Sequence, residues 1–376
     1  MRVPMFDMQE QYEDLRAEML PAVDEVMKKS RFILGENVTA FEQEMAAYCH
    51  VSHSVGVASG SDALYLTLLA LNIGPGDEVI VPSFTFFASA SAVARTGAVP
   101  VFADISPSCY TLDLGSVEAK RTERTKAIIA VHLYGQMAQM GELMALARKH
   151  SLYVIEDAAQ ALGATQNGKP PGAHSHAAIL SFFPTKNLGA YGDAGMVVTN
   201  NAALAEKINV LRVHGSKPKY YHHELGCNSR LDELQAAILR VKFPHLAHWN
   251  ERRREIAAYY DELLLQKVPD LLSPPVVAKA NEHVFHQYTL FVNKRKELVA
   301  FLQQAGIETM IYYPLPLHLQ PVFSSLGYEV GSLPETERAS QHVLSLPMFP
   351  ELKKEQQVYV VDQLAAFYAQ QTMLKV

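Results

Sequence analysis

Three short segments of this 376-residue chain put reactive side chains where apolar runs end. Lys186 stands in LSFFPTKNLGAYGDAGMVVTN, five residues past Ser181 and ahead of Gly189, Gly192 and Gly195. Glycines let backbone approach a bulky ligand closely. A lysine shielded from water in such a place loses basicity and becomes an amine nucleophile toward a carbonyl. Asp157 closes the apolar run of VIEDAAQALGA, where a buried carboxylate can hold a proton on a ring nitrogen. Ser59, Gly60 and Ser61 in GVASGSDALYL separate a strand pattern from a helix pattern, and the free N–H groups of a helix start cradle phosphate. Taken singly, each segment also has a plainer account: a solvated loop lysine, a pair of solvated acids, a serine N-cap.

The elements that must position these residues follow a regular rhythm. From about residue 53, runs such as HSVGVAS, DEVIVP, VPVFADI, KAIIAVHLYG, LYVIED, AAILSFF and GMVVTN read as strands. Between them SDALYLTLLALN, FASASAVARTG, MGELMALARKH and AALAEKINVLRVHG read as helices. This alternation predicts an α/β fold with a mostly parallel, doubly covered sheet, whose ligands sit beyond the carboxyl ends of the strands. All three reactive segments fall at such ends. The rhythm changes after the long helical pattern SRLDELQAAILRVKFPHLAHWNERRREIAAYYDELLLQ. VFHQYTLFV and IETMIYYP then read as strands, KELVAFLQQAG as a helix, and a last helix starts near Lys354. The expected division is a large domain over 1–245 and a smaller α+β domain over 246–376.

Composition excludes several classes. Hydrophobic residues make up 49% and charged residues 19%, as in a globular chain with a sizeable core. The net charge of −6 comes with no basic run, so no nucleic-acid or anionic-membrane partner is expected. Cys49, Cys109 and Cys227 form no C-x-x-C pair, which argues against a disulfide framework or a metal site and for a reducing, cytoplasmic setting. No apolar stretch reaches the length of a membrane span, and the acidic start lacks the apolar core of a signal peptide. Phosphate-loop, dinucleotide and H-E-x-x-H zinc motifs are absent, and the adjacent His222 and His223 read as a polar loop.

Together the segments resemble the DegT/DnrJ/StrS sugar aminotransferases, a branch of the fold type I pyridoxal-phosphate enzymes. The resemblance runs through VASGSDAL, GDEVIVPSFTFFASA, IEDAAQALGA, SFFPTKNLGAYGDAGMVVTN, GCNSRLDELQAAIL and YYPLPLHLQ. It implies that Lys186 carries pyridoxal 5'-phosphate as a Schiff base and shuttles protons, and that Asp157 supports the pyridinium nitrogen. Gln160 would lie against the ring near its hydroxyl, and Phe86 would stack on the other face. Gly60, Ser61 and Ser181 would touch the phosphate. Asn228 would reach it from the neighbouring subunit, so that a homodimer shares its sites. Arg230, Tyr312, Tyr313 and His318 are candidates for the substrate side. The absence of a His before the Tyr pair at Ile311-Tyr312-Tyr313 departs from some members. Ser181-Phe182-Phe183-Pro184 resembles members that act on 3-keto sugars more than those that act at position 4. The implied reaction moves an amino group from glutamate to a dTDP- or UDP-linked 3-keto sugar. Two alternatives are a sugar dehydratase, whose relatives replace the lysine with His, and a non-catalytic or regulatory protein that kept the fold.

Overall fold

The computed structural model of the chain describes residues 1–269 and 272–373. Helices α1 (Gln9–Lys29) and α2 (Glu36–Tyr48) come first. The expected rhythm follows as β1 (His53–Val57), α3 (Gly60–Ala70), β2 (Glu78–Pro82), α4 (Ala88–Arg95) and β3 (Val99–Ala103). It continues through α5 (Leu114–Lys120), β4 (Thr125–Val131), α6 (Met140–Lys149) and β5 (Tyr153–Asp157). A two-residue β6 (Thr165–Gln166) precedes β7 (Ala177–Ser181), β8 (Gly195–Thr199) and α7 (Ala202–Leu211). Seven strands form one sheet in the order β1-β8-β7-β5-β4-β2-β3. Every neighbouring pair is parallel except the two that β8 makes with β1 and β7. The α/β class with a mostly parallel central sheet is therefore what the chain adopts.

The reversal of β8 has a local effect on the site. Because β7 and β8 are antiparallel neighbours, residues 182–194 leave and re-enter the sheet at one edge. That edge is where β1, β2, β4 and β5 end. Lys186 thus joins the other strand-end segments without needing a crossover helix.

The sheet is buried on both faces, which explains why its strands read as near-continuous apolar runs. Side chains alternate between two cores: Val79 and Val81 pack on one face while Ile80 faces the other. Ala127, Ile129 and Val131 join the first core, Ile128 and Ala130 the second. Helices α3 and α7 are started by side-chain caps, with Ser59 Oγ accepting from Asp62 N at 3.1 Å and Asn201 Oδ1 from Leu204 N at 3.1 Å. Each such cap satisfies a backbone donor and is worth about 1 kcal/mol.

The single long helix pattern expected after residue 229 is two helices, α8 (Glu233–Lys242) and α9 (Leu246–Lys267), divided by a 3-10 turn at Phe243–His245. Pro244 causes the break, since it lacks the N–H that a continuous helix needs. The last layer holds β9 (Leu272–Ser273), β10 (Asn281–Glu282), β11 (Tyr288–Val292), α10 (Arg295–Gln304), α11 (Pro334–His342), β12 (Val343–Leu346) and α12 (Lys354–Met373). Strands β12, β11 and β9 make a small antiparallel sheet, and β10 pairs with β6. The segment IETMIYYP is not a strand. It makes only isolated bridges, Val3 with Ile307 and Met310 with Ser345. Val3 accordingly packs in the core of this C-terminal layer, beside Ile256, Leu290 and Leu364. Helix α9 belongs to both layers, with Trp249 in the large core and Ile256 in the small one.

Candidate active site

One cavity of about 390 Å³ lies at the strand-end edge. Its walls include Ser59, Gly60 and Ser61 after β1, Phe86 after β2, Asp157 and Gln160 after β5, and Ser181 and Lys186 after β7. Tyr312 and Tyr313 close it from the C-terminal layer. Nine of the twelve candidate residues named from the sequence, both tyrosines of the Tyr pair included, are thus in that wall.

The phosphate-type cradle is built by close packing. A Cβ on Gly60 would sit 2.9 Å from the Cβ of Ser181, and one on Gly195 would fall 2.2 Å from the backbone of Ser59. Only glycine at both positions lets the start of α3 press against β7 and β8. The first N–H groups of α3 have no intrahelical partners and carry the positive end of its dipole. Ser61 and Ser181 flank them with hydroxyls.

Two adjacent acids end β5, and the strand sorts them. Side chains alternate across a strand, so Glu156 and Asp157 face opposite sides. Glu156 Oε2 sits 2.6 Å from His132 Nε2, and its Oε1 accepts from Gly172 N at 2.8 Å. Because His132 Nδ1 accepts from Ala138 N at 3.1 Å, the imidazole carries its hydrogen on Nε2 and donates it to Glu156. Asp157 is left for the cavity. Its Oδ2 accepts from Ser89 Oγ at 2.7 Å and its Oδ1 from Ala159 N at 3.2 Å. Both donors fix the orientation of the carboxylate.

Lys186 sits in a tightly wound loop. Its N–H donates to Phe183 O at 2.8 Å, and Ala190 N donates to Phe182 O at 2.8 Å. Lys242 of α8 donates from Nζ to Gly189 O. Asn187 donates to Asn250 Oδ1 at 2.7 Å and to Val284 O at 3.1 Å, and its own Oδ1 lies 3.1 Å from His286 Nδ1. The loop is therefore fastened to α8, to α9 and to the segment before β11. Loss of solvation lowers the Lys186 amine to about 8, with the Asp157 charge opposing the fall. An amine of that basicity is about one-tenth unprotonated at neutrality, far more than a solvated lysine, and that fraction can attack a carbonyl. His286 is held well below its usual value by burial first and then by the charges of Lys186 and Arg253, so it stays neutral.

Gln160 is wired into the wall on both ends. Its Oε1 accepts from Tyr134 N at 2.6 Å and its Nε2 donates to Tyr313 Oη at 3.2 Å. Tyr134 holds a left-handed backbone at φ 60°, a conformation unfavourable for a bulky residue. Its hydroxyl donates to the carbonyl of Tyr312. The segment after Asp157 is a chain of turns and not a helix, so Gln160 is placed by these bonds. Phe86 is 55% exposed, 6.1 Å from the Tyr313 ring, and has no part in the core.

Five sequence candidates need separate comment. Asn228 and Arg230 line a neighbouring cavity of about 440 Å³, which shares Asp193 with the first. Tyr312 and Tyr313 are both in the wall. His318 is not: it is buried, with Nδ1 2.7 Å from Ser83 Oγ and Nε2 3.2 Å from Glu337 Oε1. Its polar contacts are used in holding the turn after β2. Sequence reasoning missed Ser89, Asn187, His286 and Gln287. A strand pattern at VFHQYTLFV hid the last two, for the strand begins only at Tyr288.

A mostly parallel sheet with a shielded lysine, a buried aspartate and a helix-start anion cradle at one edge defines the pyridoxal-phosphate aminotransferase class. The chain belongs to the DegT/DnrJ/EryC1/StrS aminotransferase family, whose model matches residues 13–365. A "pleiotropic regulatory protein" of Geobacillus stearothermophilus is 60% identical over 98% of this chain and 99% of its own. A UDP-N-acetyl-3-dehydro-α-D-glucosamine 3-aminotransferase of Acidithiobacillus ferrooxidans is 50% identical over 94% and 95%. Among solved structures, S. venezuelae DesV in complex with a ketimine intermediate shares 46% identity, covers 97% of this chain and 98% of its own, and superposes with a TM-score of 0.95. The cofactor of the family is pyridoxal phosphate, interchanging with its pyridoxamine form. Among the described residues no cluster of metal-ligating side chains occurs, and no helix is long and apolar enough to cross a membrane.

Proposed function

We propose that this aminotransferase moves an amino group from glutamate to a nucleotide-linked sugar bearing a ketone at position 3. The convergence of Lys186, Asp157 and the start of α3 on one cavity carries the reading. The choice of position 3 draws on relatives named for amination there, on UDP- and dTDP-linked sugars.

The residues present suit pyridoxal phosphate. The glycine-packed start of α3, with Ser61 and Ser181, suits the dianionic phosphate. Phe86 offers a flat apolar face, and Gln160 an amide at the ring edge. Asp157, oriented by Ser89 and Ala159, would hold a proton on the ring nitrogen. With that proton in place the bound cofactor acts as an electron sink for charge developing on the carbon that bears the amine. Lys186 tethers the cofactor between turnovers. Once displaced by the donor, its Nζ takes the proton from the amino-acid carbon and returns it on the cofactor side. In the second half it works in reverse on the sugar. Asn228 and Arg230 sit in the adjoining cavity, and we assign them to the site of a second subunit, so that a homodimer forms two shared sites. Tyr312 and Tyr313 face the sugar. His318 acts indirectly, by holding the turn that carries Phe86.

We set the boundary between the two domains at residues 245 and 246, between α8 and α9, with α9 leading from one to the other. The three cysteines are free, which fits a reducing cytoplasm. A regulatory reading has the name of the G. stearothermophilus relative in its favour. The assembled cavity weighs against a role without catalysis.

The test is the visible spectrum of the purified protein before and after glutamate. A yellow form that bleaches supports the reading. A protein that stays colourless with added pyridoxal phosphate overturns it.

A further inference from the structure

His286 is 7% exposed and lines the catalytic cavity together with Lys186. The hydrogen on its ring is located by a chain of bonds that starts at the residue after the lysine. Asn187 Nδ2 lies 3.1 Å from the carbonyl oxygen of Val284, which can only accept, so the amide cannot be turned over. The same Nδ2 donates to Asn250 Oδ1 at 2.7 Å, and Asn250 Nδ2 donates in turn to Leu162 O at 3.1 Å. Asn187 Oδ1 is left as an acceptor, and the atom 3.1 Å from it is His286 Nδ1. That nitrogen therefore carries the hydrogen. Burial and the charges of Lys186 and Arg253 keep the ring neutral, so Nε2 is a bare acceptor.

Among the described residues Nε2 has no hydrogen-bond partner, and unlike the neighbouring Gln287 Oε1 it is not sealed from solvent. The Lys186 amine is its complement. No hydrogen bond of Nζ occurs among the described residues either, and the imidazole lies within the field of its charge. One cavity thus holds an unpaired donor on a flexible stem and an unpaired acceptor on a fixed ring.

We infer that His286 Nε2 is a resting place for Lys186 Nζ, accepting a hydrogen bond from the amine whenever the cofactor is not attached to it. The inference rests on the function proposed above, with Lys186 as the reacting amine, and adds a positioning residue to it. The ring holds the freed amine inside the cavity, ready for the carbon whose proton it moves. A neutral acceptor does this without binding the ammonium as tightly as a carboxylate would. Asn187 makes the arrangement local, since the residue next to the lysine in sequence fixes the ring that receives it. Water in the cavity is the competing partner for Nε2.

The experiment uses holoenzyme in its pyridoxamine form, where Lys186 is free, as wild type, His286→Asn and His286→Gln. The asparagine amide reaches the place of Nδ1, keeping a donor for Asn187 while Nε2 is lost; the glutamine amide reaches the place of Nε2. Folding is checked by circular dichroism and cofactor loading by absorbance. Cyanate carbamoylates only the unprotonated amine, so mass spectrometry of the Lys186 peptide across pH gives the basicity of Nζ. Asp157 also acts on Nζ and is the same in all three proteins. Removing an acceptor that favours the ammonium lowers the Lys186 value. The expected fall in His286→Asn is about one pH unit, with His286→Gln closer to wild type. A ring that serves only as packing gives the opposite sign, because a loosened site admits water and lifts the amine back toward 10.5. In turnover, His286→Asn slows the glutamate and amino-sugar half-reactions by the same factor of about tenfold, with KM for glutamate within about twofold. A Lys186 value that is unchanged or raised in His286→Asn overturns the inference and leaves the aminotransferase reading intact. Wild type that forms no pyridoxamine form with glutamate overturns that reading and this inference with it, since Lys186 is then not the reacting amine.

Discussion

Ser89 Oγ donates to Asp157 Oδ2 at 2.7 Å, so the helix that follows Phe86 holds the carboxylate at the end of β5. Two parallel strands that are not sheet neighbours are coupled here through one hydroxyl. The bond keeps Asp157 aimed at the cavity.

Replacing Ser89 with Ala removes a hydrogen bond to a charged group, worth about 1.5–3 kcal/mol. We expect pyridoxal phosphate to bind about tenfold or more weakly. The glutamate half-reaction slows as well, since the ring proton is less well held. Fluorescence titration of the apoenzyme measures the first effect; an unchanged affinity refutes the coupling.

The pH dependence of cofactor capture follows from Lys186. Only the unprotonated amine attacks a carbonyl, and burial lowers its value from 10.5 to about 8. The rate of capture by apoenzyme therefore rises with pH and levels off above about 8. A solvated lysine would still be gaining near pH 10. Stopped-flow absorbance across pH 6 to about 10 distinguishes the two. Lys186→Ala abolishes capture and transamination and leaves the fold intact.

Gly60→Ala tests the cradle by itself. The added methyl lies 2.9 Å from the Ser181 Cβ, so α3 or β7 must give way. A cost of about 1–3 kcal/mol in stability is expected, as for other overpacked sites. The phosphate site is displaced with it. Thermal unfolding and the affinity for inorganic phosphate are the measurements, and both should fall together.

Shared sites make inactive subunits complement each other. Lys186→Ala and Asn228→Ala chains, each weak or inactive alone, are mixed and allowed to exchange. Random pairing gives hybrids in half the dimers, each with one intact site, or about a quarter of wild-type activity. Absence of any recovery, with exchange proven by a tagged subunit, means that Asn228 serves its own chain.

Much of this site was legible because its parts are local in sequence. Lys186, Asp157, Ser181 and Gly60 each follow an apolar strand run, and the strand ends bring them to one edge. The helper groups were not legible. Ser89 sits in FASASAVARTG, where serines alternate with alanines on an ordinary helix, and only its distance to Asp157 marks it. Asn187 and His286 gain meaning only through each other, ninety-nine residues apart in the chain. His318 misled for the opposite reason. Its place beside the Tyr pair in YYPLPLHLQ looked like a wall of the site, but Ser83 and Glu337 use its ring. The strand pattern at IETMIYYP was real in composition, yet the segment meets the outer edge of β12 only at the Met310–Ser345 bridge.

The three fastenings of the Lys186 loop bear on how the enzyme loses activity with heat. Lys242 ties the loop to α8, Asn250 to α9, and His286 to the entry of β11. Two of these anchors belong to the C-terminal layer or to the helix that leads into it. If that layer loosens first, the reactive amine is set adrift while the seven-stranded sheet is still whole. Activity would then vanish below the temperature at which secondary structure melts, and crosslinking α9 to the layer above it would protect catalysis more than any added packing inside the sheet.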